Sequence, residues 1–98
     1  MNTTFCHIQT DRALFYFNKR TQFNGHVDPY GDNTHDLGAT ASRWRNIYTN
    51  DLNLSNEGST NDVDGTWGSY TIQEGEDDLF LINKRNGKKY KFNLTEVS

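Results

Sequence analysis

Cysteine, proline and methionine each occur once in this 98-residue chain, and aliphatic side chains are scarce. A lone cysteine, Cys6, excludes an intrachain disulfide, and its expected role is a small buried hydrophobe or an incidental thiol. No stretch approaches the ~20 apolar residues of a membrane-spanning helix, so membrane insertion is not expected. Charges interrupt residues 1–20 before any apolar signal core can form, and no secretory signal is expected. A self-similar period of roughly 20–50 residues is missing, which argues against a solenoid. Catalysis needs a nucleophile with its base, or paired carboxylates, and neither is recognisable here. His7, His26 and His35 are scattered through the N-terminal third without metal-ligand spacing. Asn61-Asp62-Val63-Asp64-Gly65 resembles a fragment of a calcium loop, but Glu74 and Glu76 follow too late to supply its closing ligand. The expectation is a chain that is not an enzyme and holds no cofactor or metal.

What is present is modestly acidic and aromatic. The formal net charge is −3, with 33% hydrophobic and 13% aromatic residues. Globular domains average about 45–50% apolar with glycine included, so the core-forming material is thin. Disorder is nevertheless disfavoured, because the net charge is small and the aromatics are many. A chain of this kind folds if neighbours complete its core, which predicts self-association around a symmetry axis. The negative charge, and the lack of a basic stripe with interleaved aromatics, argue against nucleic acid as a partner.

Along the chain, residues 1–31 read as an N-terminal segment of short strands. Ala13-Leu14-Phe15-Tyr16-Phe17 is strongly β-prone, and Phe23 and Val27 share one face beyond it. Asn24-Gly25 is a candidate hairpin turn, and Pro29 to Asn33 is a clear turn. Residues 32–51 read as a turn and a helical corner. Gly38 permits an unusual φ, Thr40 or Ser42 is a candidate cap, and Trp44, Ile47 and Tyr48 recur at helical spacing. Residues 52–98 read as a β-sheet, the whole chain forming one domain. Asp51–Asn56 alternates apolar and polar, residues 57–65 form a polar loop, and Thr66–Gln73 is a second strand with Trp67 set to pack on the first. After the acidic turn at residues 74–78, Asn86-Gly87 signals a two-residue type I′ hairpin. That turn pairs Lys84 with Lys89, Asn83 with Tyr90 and Leu81 with Phe92. One face then carries Leu79, Leu81, Asn83, Tyr90, Phe92 and Leu94.

The string DNTHDLG-ATASRWRNIYTNDLNLSN (residues 32–56) resembles a segment near the C-termini of bacteriophage tail-fibre proteins, particularly those of cyanophages and other marine phages. The downstream text, GTWGSYTIQEGEDDLFLINKRNGKKYKFNLTEV, is similar to the ending of the same group, and QFNGHVDPYGDNT to its lead-in. Carried over residue by residue, the motif falls on Asp32, Leu37, Gly38, Arg43, Trp44, Ile47 and Tyr48 as structural corner positions. The resemblance implies a mainly β, intertwined or packed homotrimeric fibre element within a virion, made in the bacterial host cytoplasm and touching other virion proteins. In such fibres this motif often precedes a cleaved intramolecular chaperone, which is not expected after Ser98. A capsid decoration or head-fibre protein and a carbohydrate-binding module are the alternatives. A depolymerase is disfavoured, because no acidic pair is placed for glycosidic chemistry.

Host contact, if made, is expected at the loop 57–65 or at the last hairpin. Trp67 and Tyr70 are candidates to stack on sugar rings of a host surface polysaccharide. Lys84, Arg85, Lys88 and Lys89 form a candidate cationic tip for an anionic glycan such as lipopolysaccharide. The plainer expectation is that these cations and Lys91 offset Glu74, Glu76, Asp77 and Asp78, within one chain or across an interface.

Overall fold

A computed structural model describes residues 6–98, and the chain divides into two compact units, Met1–Ala41 and Ser42–Ser98. All strands among the described residues lie in the second unit. They are β1 (Leu52–Ser55), β2 (Ser69–Glu74), β3 (Leu79–Asn83) and β4 (Lys89–Lys91). The four form one antiparallel sheet in chain order, a meander, and the fold is mainly β. Each connection joins neighbouring strands; the last two are short, whereas residues 56–68 form a long loop between β1 and β2.

The register follows the alternation in the sequence. Leu52 faces Ile72 and Leu54 faces Tyr70 across β1 and β2, while Ile72 faces Leu81 and Leu81 faces Tyr90 farther on. Directly opposed residues share a face, so these side chains and Asn83 stand on one side of the sheet. Asn53, Thr71, Gln73, Phe80, Ile82, Lys89 and Lys91 stand on the other. On the second face two polar side chains converge on Asn53. Lys84 Nζ reaches across to Asn53 Oδ1 at 3.0 Å, and the same oxygen accepts the Thr71 hydroxyl at 2.6 Å. Thr71, 4% exposed, is a buried polar residue on that side. On the first face Leu54 is 50% exposed and Tyr90 48%, Ile72 and Leu81 are half-buried, and no hydrophobic side chain among the described residues is buried.

Two turns set the sheet's ends. β2 and β3 close on Glu76-Asp77, with the Gly75 amide donating to the Asp78 carbonyl at 2.7 Å. The Phe80 ring fills the space a Cβ on Gly75 would take, so glycine lets the aromatic lie on the backbone. The last hairpin differs from expectation. Phe80 pairs with Lys91, Leu81 with Tyr90 and Ile82 with Lys89, a slip of two residues from the predicted register. The turn is not type I′, because only Gly87 takes a positive φ, 76°, and Asn86 does not. Instead Lys84–Gly87 forms a four-residue loop between Asn83 and Lys88. The Gly87 amide donates to the Asn83 carbonyl at 2.8 Å, and the Asn83 amide to the Lys88 carbonyl at 2.9 Å. Asn83 starts this loop early, since its Oδ1 accepts the Arg85 amide at 3.0 Å. A slip of two keeps every side chain on its face, so the expected apolar side survives.

The helical corner does not form, and no helix occurs among the described residues. Trp44 (64% exposed), Ile47 and Tyr48 (93% exposed) lie in irregular chain and lock no corner. The nine residues 40–48 are short for a helix, and Thr40, Ser42 and Asn46 are weak helix formers with no packed face to compensate. The unit boundary falls inside the stretch, with Asp32, Leu37 and Gly38 before it and Arg43, Trp44, Ile47 and Tyr48 after it.

In the first unit, residues 6–41 contain no strand, although 13–17 are β-prone. An isolated strand leaves its backbone groups unpaired, and no partner segment among the described residues lies beside this run. Asn24-Gly25 forms a bend without a hairpin. The turn after Pro29 is present: Gly31 has φ 91° and Asn33 φ 54°, and the Thr34 hydroxyl donates to the Tyr30 carbonyl at 3.2 Å. Gly38 takes φ 89°, as its type allows. Cys6 is exposed, not buried.

Candidate functional site at the loop end of the sheet

The most structured polar feature is the loop between β1 and β2. It is pinned at its base by Asn56, whose amide donates to the Gly68 carbonyl at 3.3 Å and whose Oδ1 accepts the Gly68 amide at 2.7 Å. Asn61 organises the distal part. Its Oδ1 accepts the amides of Val63 and Asp64 at 2.7 and 2.9 Å, an Asx-type turn. Its Nδ2 donates to Asp64 Oδ1 at 2.7 Å and to the Thr66 carbonyl at 3.0 Å. Asp64 Oδ1 also accepts the Thr66 hydroxyl at 2.7 Å and the Thr66 amide at 3.1 Å. These donors favour the ionised carboxylate. The Thr66 hydroxyl first, then the Asn61 amide, hold Asp64 below the ordinary carboxylate range. Asn61 and Asp64 of the candidate calcium loop are thus bonded within their own loop, and no group of three or more His, Cys, Asp or Glu among the described residues is placed to hold a metal.

Beside the loop lies an open cleft of about 490 Å³, lined by Ser55, Asn56, Asn61, Asp64, Trp67 and Tyr70 among others. Its volume falls within the ~300–1,000 Å³ of small-ligand sites. Trp67 and Tyr70 are brought together here, and Tyr70 lies against Gly68, whose missing side chain admits the ring. A second cleft, of about 380 Å³, adjoins Trp67 and Tyr70 on the side of Asn83, Arg85 and Asn86. Arg85 links the two regions. Its guanidinium stands 3.7 Å over the centre of the Trp67 ring, and Nη1 donates to the Trp67 carbonyl at 3.1 Å.

The expected cationic tip is therefore split. Arg85 is folded onto Trp67 and Lys84 onto Asn53, whereas Lys88 and Lys89 are exposed at and beside the loop. The acidic turn at 75–78 and the basic loop at 84–88 sit at opposite ends of the five-residue β3. That length is roughly 16 Å, about two Debye lengths at physiological salt, so the two ends do not neutralise each other within one sheet. Lys91 is nearer the acid, lining a depression with Asp77 and Asp78. The Arg85–Trp67 stack has no local sequence signal, because the pairing of β2 with β3 brings together residues 18 apart in the chain. Asn56 and Asn61 do carry one: asparagines that bracket a glycine-containing loop are Asx-turn formers.

No known protein family, curated protein or solved structure matches the chain.

Proposed function

We propose that this protein is a phage virion structural protein of tail-fibre type, a rigid homotrimeric element that presents a host-attachment surface. One observation supports the reading: no hydrophobic side chain is buried among the described residues, the character of a subunit whose neighbours complete its core. A subunit of a symmetric assembly has this character, and the motif of residues 32–56 supplies the kind of assembly. Other virion proteins are its neighbours, and host surface polysaccharide is the ligand class that suits Trp67 and Tyr70 beside a polar loop. The same cleft favours a second reading, a carbohydrate-binding module outside the virion. Placement on the head, as a decoration or head-fibre protein, is the remaining virion reading.

Solution mass and particle localisation separate these. A tail fibre is trimeric and stays with detached tails under antibody-labelled microscopy, while a decoration protein stays with empty heads. A monomer at micromolar concentration that binds host polysaccharide overturns the fibre reading in favour of the module.

A further inference from the structure

The two clefts beside the long loop differ in the charge that lines them. The first is lined by one carboxylate, Asp64, and by no lysine or arginine. The second is lined by Arg85 and by no carboxylate. Trp67 and Tyr70 line both. Arg85 covers one face of the Trp67 ring and lines only the second cleft, so a ligand ring stacks on the face that Arg85 leaves open.

The polar side chains of the first cleft are fixed at one end and open at the other. Asn56 gives its Oδ1 to the Gly68 amide, while its Nδ2 has no acceptor among the described residues. Asp64 takes its three bonds on Oδ1, and its Oδ2 accepts none among the described residues. The bonds to Oδ1 also keep this carboxylate ionised at neutral pH. Asn61, by contrast, has both ends of its amide bonded within the loop. One amide donor and one carboxylate acceptor thus stand beside an aromatic ring, each held by the bonds at its other end. Side chains so held lose little further freedom when a ligand arrives.

We infer that the first cleft takes an uncharged, hydroxyl-rich saccharide, stacked on Trp67, donating to Asp64 Oδ2 and accepting from Asn56 Nδ2, and that it discriminates against acidic sugars. The inference rests on the polysaccharide reading above and narrows it to one charge class. A hydroxyl both donates and accepts, so the edge of a neutral sugar satisfies both open groups. An ionised sugar carboxylate only accepts, so it leaves Asp64 Oδ2 unpaired and brings two like charges together. The charge class is the reverse of the one expected from the lysines of the last hairpin, and Lys88 and Lys89 line neither cleft.

The test uses short oligomers of galacturonate, mannuronate and glucuronate, each paired with its carboxyl-reduced, neutral counterpart. Each is titrated into the full-length chain and followed by NMR at the backbone amides and the Trp67 indole. The expected result is that a neutral member binds about tenfold more tightly than its acidic parent, the size of one repulsion across an open, solvated cleft. The Trp67 and Gly68 signals should move. Asp64→Asn keeps an acceptor for Thr66 but turns the open oxygen into a donor, so the preference for the neutral member should fall toward one. Asn56→Asp keeps the bond from the Gly68 amide and adds a second carboxylate, so it should widen that preference. Slow exchange of the Thr66 and Gly68 amides reports that the loop is intact in both variants. Acidic members that bind as tightly as their neutral partners, or shifts at Asn83 and Asn86 in place of Gly68, overturn this inference alone. A preference unchanged in Asp64→Asn does the same. If no member of any pair binds, the inference falls together with the polysaccharide reading, and the assembly reading is left to the mass measurement.

Discussion

At the residue scale, Asp64 illustrates how an exposed carboxylate becomes structural. Its hydrogen bonds from Thr66 and Asn61 are stronger to the ionised form, which is why its pKa is lowered. A group whose folded pKa lies below its unfolded one adds stability above the unfolded value and loses it as pH falls through the folded value. The contribution of Asp64 to the loop 61–66 is therefore expected to be present above the ordinary aspartate range and to be lost as pH falls below it. Carboxyl-detected titration by NMR checks the direction: Asp64 should titrate below an aspartate in an unfolded peptide of the same sequence. Asp64→Ala should speed exchange of the Thr66 amide without moving the Leu81 amide, since strand β3 does not depend on this loop. Equal exchange at Thr66 in both proteins would remove Asp64 from this role.

At the scale of elements, the last hairpin shows what a dipeptide signal does and does not specify. Asn86-Gly87 correctly marks a turn, but the loop is four residues long because Asn83 captures the Arg85 amide first. Gly87 alone sits at positive φ, with open space where an added methyl group would stand. Gly87→Ala is thus expected to cost about 1 kcal/mol by conformation alone, and Gly87→Asn less. Asn86→Gly separates the two turn types. In a type I′ turn it would relieve a positive φ, whereas here it removes the bond from the Lys88 amide to Asn86 Oδ1 at 2.9 Å. The expected result is a loss of about 0.5–1 kcal/mol in chemical denaturation.

The same elements show how much is legible in the sequence. β1, the acidic turn and the apolar face of the last hairpin are readable, because period-two alternation and turn residues act over a few neighbours. The slip of two is not, since both registers present the same face. The corner fails for a different reason. Trp44, Ile47 and Tyr48 have helical spacing, but spacing becomes a helix only when a surface receives the stripe, and none does within this copy. The same holds for Leu14 to Phe17, β-prone and unpaired. Of the candidate site, Trp67 and Tyr70 are readable as aromatics in a polar setting. The Asn61–Asp64–Thr66 network and the Arg85 stack depend on loop closure and register, which local composition does not encode.

For the whole molecule, the decisive quantity is the missing core. Apolar burial contributes about 25 cal/mol per Å² removed from water, and ordering a backbone costs about 1–2 kcal/mol per residue. A four-stranded single layer that buries no hydrophobic side chain among the described residues gains little of this from its own contacts. If copies supply the remainder, folding and association are one equilibrium, and stability depends on concentration. The thermal midpoint of the full chain is then expected to rise on the order of 5 °C for each tenfold increase in protein concentration, given the size scaling of small domains. Calorimetry over two decades of concentration measures it. A midpoint independent of concentration would mean that the chain folds without its copies, and the uncovered face of Leu54, Ile72 and Leu81 would then have to be tolerated in water.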